Sequence, residues 1–433
     1  MKHLLNLLAA VALLVWGTHL VRTGILRVFG ANLRELLARS MGNRFTAALS
    51  GIGVTALVQS STATALMTSS FVGQGLISLP SALAVMRGAD VGTAIMAVLF
   101  SFDLTWLSPL FIFVGVVLFL SRQDDTAGRV GRVLIGLGLM LLALRLVVDA
   151  TEPLLASPSV RALLSSLGSD VLLEITVGAT LAVVSYSSLA VVLLIAALAA
   201  STAIPLDVAL GLVLGANLGS GLLAVLTTLK SPVAVRHVTV GNLVFKVMGV
   251  LLIAPLIGLW LKYAKPWLPD LTSLVVLFHL AFNIVISLGF IGLTNLVGRW
   301  VQKLMPAPLE TRAQMRLQHL DPSALSTPSL AISCAAREAM RQADLVETML
   351  GGVLPVILNN DLRLSQDLRK MDDTVDELYS AIKYYLTKIS REELDEQESQ
   401  RWTDIISFTI NMEQIGDIVE RVLLDVEDKK IKP

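Results

Sequence analysis

Apolar residues fill the first 305 positions in long runs, and polar residues return with helical spacing after about position 329. Runs near 4–29, 76–100, 104–120, 131–149, 204–228, 238–261 and 273–296 suit the ~30 Å hydrocarbon core, which takes about 20 helical residues. They predict membrane-spanning helices. The first runs into Arg22, Arg27 and Arg34 without a small-residue cleavage site, so it reads as a retained segment rather than a cleaved leader. Two further segments, about 45–74 and 171–201, are apolar but rich in Ser, Thr and Gly. Their polar centres fit broken helical hairpins, because non-helical backbone at membrane depth is tolerated only where it is buried or lines a cavity.

A linker at 306–328 holds Pro308, Pro322 and Pro328, which disfavour continuous helix. Three stretches then follow near 329–358, 361–389 and 392–428, with apolar residues at i, i+3, i+4 spacing, as in Leu345, Met349, Val353 and Val356. Short links between long helices predict an antiparallel three-helix bundle. Gly351, Gly352 and Pro355 are expected to kink its first helix. The fold class read from the pattern is all-α: a polytopic membrane domain over 1–305 and a soluble helical domain over 329–433.

Composition narrows the function. Of 433 residues only 16% are charged while 54% are hydrophobic. That excludes an ordinary soluble enzyme, a disordered chain and a basic nucleic-acid binder. The 34 basic and 34 acidic residues cancel only as a sum. Residues 1–305 carry 19 basic and 11 acidic side chains, and 306–433 carry 15 and 23. Basic clusters at Arg34/Arg39/Arg44, Arg122/Arg129/Arg132, Lys230/Arg236 and Arg299/Lys303 fall on the cytoplasmic side by the positive-inside rule, which places the acidic tail there too. One cysteine, Cys334, excludes a disulfide framework. There is no Walker motif, zinc ligand set or nucleophile–base constellation, so no enzyme is expected.

Shifting the chain by 127 residues aligns 51–99 with 178–226 without a gap, and fifteen positions are identical. The informative matches are Ser60/Ser187, Ser61/Ser188, Gly88/Gly215, Ala89/Ala216 and Gly92/Gly219. Three predicted spans separate the two hairpins. An odd number gives the repeats opposite orientations, the architecture of secondary transporters. Close helix packing would explain the Gly and Ala matches, but not Gln59-Ser60-Ser61-Thr62 inside an apolar segment. Hydroxyls and amides offer neutral donors and acceptors, and helix N-termini at a hairpin tip can face an anion.

These motifs resemble the type II sodium/phosphate cotransporter family, which repeats a QSSS-type motif followed by a GANxGT-type motif. The first repeat has Gln59-Ser60-Ser61-Thr62 and Gly88-Ala89-Asp90-Val91-Gly92-Thr93. The second has Tyr186-Ser187-Ser188 and Gly215-Ala216-Asn217-Leu218-Gly219-Ser220. The H-x-x-F-N of that family is matched by His279-Leu280-Ala281-Phe282-Asn283. The resemblance implies an inorganic phosphate site at the two tips with coupling sodium ions nearby. Ser60, Ser61, Thr62, Ser187 and Ser188 would contact phosphate or sodium, while Gln59, Asn217, Thr93 and Ser220 would orient or complete the site.

Three positions depart from the family pattern: Tyr186 for Gln, Asp90 for Asn, and Lys246 for the last Asn in Asn242-Leu243-Val244-Phe245-Lys246. Ionisable groups at membrane depth are costly, usually paired and often functional. Asp90 is expected to pair with Lys246 or with Arg87. Lys246 would supply a fixed positive charge and so change the ion stoichiometry or make the protein less dependent on sodium. Arg87 is expected to snorkel to the headgroups. Asp103, Asp149, Glu152, Asp170 and Glu174 are expected to be solvated, and His19 to be a satisfied interhelical residue.

The tail resembles a PhoU-like domain, through Met371-Asp372-Asp373-Thr374-Val375-Asp376 and Asn411-Met412-Glu413-Gln414-Ile415-Gly416-Asp417. Carboxylates at i, i+4 share a helix face, and a divalent cation with oxygen ligands relieves their repulsion. Asp372, Asp376, Glu413 and Asp417 are the candidate ligands. The acidic run at 391–398 is expected to face solvent. The leading expectation is secondary transport of phosphate across a bacterial inner membrane, sodium-coupled. The tail would regulate it through a partner protein or a second copy of the chain. The alternatives are a sensor that binds phosphate without moving it, and a carrier of another oxyanion.

Overall fold

The computed structural model describes residues 2–39, 43–73, 77–102, 104–121, 126–155, 170–264, 266–268, 270–306, 328–389 and 396–431, with isolated positions from 317 to 325 and at 394. Asp103, Arg122, most of the linker and most of the 391–395 acidic run lie outside the described residues, as do the side chains of Arg34, Arg39 and Glu152. The chain divides into two compact units, 1–308 and 309–433.

In the first unit, α1 (Lys2–Arg39) precedes a broken hairpin, α2 (Arg44–Val58) and α3 (Ser61–Gly73), and then α4 (Leu79–Ser101). After α5 (Ser108–Ser121) and α6 (Thr126–Leu155), the pattern recurs as α7 (Val171–Val184), α8 (Ser188–Ala200) and α9 (Leu206–Thr228). The unit closes with α10 (Val233–Ile253), α11 (Ile257–Ala264), α12 (Leu271–Phe290) and α13 (Thr294–Leu304). Six helical segments among the described residues are long and apolar enough to cross a membrane. The expected span near 104–120 is shorter. A 3-10 turn occupies Thr105–Leu107 and the helix starts at Ser108, because Pro109 is tolerated only in a first turn. Pro255 likewise interrupts the span predicted at 238–261, leaving a 3-10 turn at Ala254–Leu256.

The two hairpins match beyond their motifs. The caps Asn43 and Asp170 stand at equivalent positions, each accepting a backbone N–H with its side chain. Within each repeat the long helix lies parallel to the first hairpin arm, at contact distance, with Ala48 and Ile52 facing Gly88 and Gly92, and Ile175 and Ala179 facing Gly215 and Gly219. A Cβ on Gly88 would collide with the Ala48 carbonyl oxygen, and one on Gly215 with that of Ile175. Small residues admit such approaches between apolar helices. A single apolar cluster containing Leu83, Leu210 and Phe245 joins both repeats.

The second unit is a three-helix bundle of α14 (Pro328–Asn359), α15 (Leu362–Thr387) and α16 (Glu396–Val426), ending in a π-helical turn at Glu427–Ile431. The first helix continues through Pro355. Two apolar clusters, around Ile382 and around Val375, form its core. Between them Gln342 donates to the Val375 and Thr409 carbonyls, and the Thr409 hydroxyl donates back to Gln342 Oε1.

Candidate functional site

Each hairpin breaks at a residue in the left-handed region: Gln59 at φ 56° and Tyr186 at φ 53°. Neither is glycine, so each break costs roughly 1–2 kcal/mol. The same strain at equivalent positions marks the tips as built features. Ser60 and Ser187 follow, and their Oγ atoms accept the N–H of Ala63 at 3.2 Å and of Ala190 at 3.1 Å. Each hydroxyl accepts one bond and keeps its proton to donate. Ser61 and Ser188 open α3 and α8. Both tips line one cavity of about 680 Å³, with Gln59, Ser60, Ser185, Tyr186 and Ser187 in its wall. Gln59 is buried, and its Oε1 has no partner. Tyr186, its counterpart, is 60% exposed.

Sequence reasoning missed the third wall of this cavity. His19 and Arg22 of α1 line it, and the guanidinium donates to His19 Nδ1 at 3.1 Å. The only sequence signal was their i, i+3 spacing in the first segment. Thr62 is half-buried on α3. Thr93 and Ser220, expected to complete the site, instead bond back to their own helices, at Ala89 O (3.1 Å) and Asn217 O (2.8 Å). Hydroxyls that cannot reach another partner satisfy themselves this way.

Away from the tips, α4, α10 and α12 bury a charged group. Arg87, Asp90 and Lys246 are 1%, 4% and 3% exposed. Asp90 pairs with both expected partners: Lys246 Nζ donates to Oδ1 at 2.6 Å, and Arg87 Nη2 lies 2.9 Å from Oδ2. The expectation that Arg87 snorkels is therefore corrected. Its guanidinium also donates to Asn242 Oδ1 and lies 4.9 Å from the centre of the Phe245 ring. Full burial, a carboxylate and a ring face replace water around it.

Beside the second repeat, Asn217, His279 and Asn283 form a neutral cluster. Asn283 Nδ2 donates to Asn217 Oδ1 at 3.1 Å, and Asn217 Nδ2 lies 2.9 Å from His279 Nδ1. His279 Nε2 is buried without a partner. Glu174, expected in solvent, is buried against Gly211. Asp149 is exposed as expected, its side chain at 62%.

In the second unit, one carboxylate oxygen from each of Asp372, Asp376 and Asp417 lies within 4.8 Å of the others. Glu413 stands outside that group. Burial, followed by the charges of Asp376, Glu420, Asp417 and Asp373, pushes the Asp372 carboxyl up to about 6. Its Oδ1 is buried without a hydrogen-bond partner. These carboxylates suit a hard divalent cation.

Two inverted halves, each with a broken hairpin, and both tips on one cavity define an inverted-repeat secondary transporter fold in a membrane protein. The chain belongs to the Na+/Pi-cotransporter family, which it matches over residues 13–149 and again over 152–292, and residues 339–426 match the PhoU domain. It is a member of a transporter family, not an enzyme. It is 48% identical over 432 residues to the "Putative inorganic phosphate export protein YjbB" of Escherichia coli K12, covering 100% of this chain and 79% of that one. The Salmonella typhimurium protein of the same name is 47% identical over 431 residues, with the same coverage. The "Uncharacterized protein YqeW" of Bacillus subtilis is 23% identical over 312 residues, covering 70% of this chain and 99% of its own. No solved structure matches.

Proposed function

We propose that the protein moves inorganic phosphate across the bacterial inner membrane by secondary transport, with the anion held at the two hairpin tips. The observation that carries this reading is the convergence of Gln59, Ser60 and Ser187 on one cavity. Capped hydroxyls with protons to donate, two helix N-termini and the Arg22 guanidinium form a donor set for an oxyanion. Ser61, Thr62 and Ser188 extend that set. The family description supports sodium as the driving ion. The name shared by the enterobacterial relatives supports export as the direction. The basic loops support a cytoplasmic tail, and the PhoU match supports regulation by it. Asp372, Asp376 and Asp417 would hold a divalent metal there.

Radiolabelled phosphate movement in cells tests the reading. Flux that disappears with Ser60→Ala and Ser187→Ala supports it. Phosphate binding with no flux in the parent protein would favour the sensor instead.

A further inference from the structure

The two halves treat equivalent positions differently. Asp90 and Asn217 occupy the same place in the repeat. Each is engaged by a five-residue segment on a later helix, Asn242–Lys246 on α10 and His279–Asn283 on α12. In both, the fifth residue donates to the repeat residue: Lys246 to Asp90 Oδ1, and Asn283 to Asn217 Oδ1. The first residue completes the pattern. Asn242 accepts from Arg87, three positions before Asp90, and His279 meets the Asn217 amide.

The chemistry diverges where the geometry agrees. At this position of the first half, Asp90 Oδ1, Asp90 Oδ2 and Asn242 Oδ1 are oxygens suited to a monovalent cation. Each is already covered by a cation of the chain itself, Lys246 or Arg87. In the second half, amides and an imidazole surround one another, and no lysine or arginine among the described residues makes a hydrogen bond within that cluster. An ammonium on oxygen ligands does the work of a bound alkali ion: it neutralises the carboxylate and ties two helices together. Unlike a free ion, it cannot leave with the substrate.

We propose that Lys246, seated on Asp90 beside Arg87, is a resident cation that replaces a transported sodium ion in the first half. The protein then couples phosphate to at most one sodium ion, bound in the second half. This rests on the sodium-coupled reading above and narrows it.

Phosphate flux in proteoliposomes of the purified full-length protein, with sodium titrated against choline, tests it. The wild-type response should be first order in sodium or lower. Asp90→Asn with Lys246→Asn rebuilds the amide pair of the second half. It should raise the sodium order and lower flux at limiting sodium on the order of tenfold, while Lys246→Arg should keep the wild-type response. Flux in the double variant with an unchanged sodium response would overturn the proposal. If that variant does not assemble, the wild-type titration decides alone, and a cooperative response of second order overturns it. Absence of wild-type flux under every imposed gradient would instead contradict the transport reading itself.

Discussion

Lys246 donates to Asp90 Oδ1 at 2.6 Å, repeating between α10 and α4 the relation that Asn283 makes with Asn217 at 3.1 Å. Breaking a buried ion pair leaves an uncompensated charge, which costs about 3–5 kcal/mol. The loss should depend on which partner goes. Asp90→Ala strands two buried cations, Arg87 and Lys246. Lys246→Ala leaves Asp90 with Arg87 at 2.9 Å. Asp90→Ala should therefore lower Tm in detergent more than Lys246→Ala. The Asp90→Asn, Lys246→Asn pair strands Arg87 alone, so its loss should fall between those of the two single variants.

Strain and chemistry at the first tip should separate. Gln59 sits at φ 56° with an unpartnered Oε1 in the cavity wall. Gln59→Gly removes a left-handed penalty of roughly 1–2 kcal/mol, so Tm should hold or rise while phosphate flux falls. A fall in both would show that Gln59 is structural.

The glycines of the two repeats should fail alike. A side chain at Gly88 or Gly215 meets a backbone carbonyl, which cannot rotate away. Gly88→Val and Gly215→Val should each cost at least the roughly 1–3 kcal/mol of core overpacking, read as lost folded yield. Gly53, with open space around it, should accept Ala with little change.

Asp372 makes the tail sensitive to pH. Its carboxyl is raised from 3.8 to about 6. Between those values the native state holds more protons than the unfolded one, so stability falls as pH rises and the penalty is complete above about 6. Asp372→Asn should stabilise α15 and α16 at pH 8 without metal, on the order of 1 kcal/mol after screening by solvent. It should change little at pH 4. Hydrogen exchange of the intact protein reads this directly. Added Mn or Mg should slow exchange in the parent and not in the variant.

Much of this was legible in the residues. A shift of 127 positions placed both breaks, because a polar tip inside an apolar run has few alternatives to a buried bend. That Asp90 would pair with Lys246 or with Arg87 followed from the cost of charge at depth; that it meets both did not. What was not legible arose where sequence-distant helices meet. Arg87 reads as a snorkelling residue until Phe245 and Asn242 close over it. Glu174 reads as a flanking acid until Gly211 leaves room to bury it. Arg22 faces the cavity because α1 packs beside both tips, which no local pattern states.

In the proposed function the hairpin tips hold phosphate during transport. The most direct test measures phosphate binding and flux in the same proteoliposomes, for the parent, Ser60→Ala, Ser187→Ala and the double variant. Losing one hydrogen bond to an anion costs about 1.5–3 kcal/mol, roughly ten- to a hundredfold. Each single variant should weaken binding and flux together by that factor, with the double variant inactive. Unchanged flux in the double variant would show that phosphate is held elsewhere.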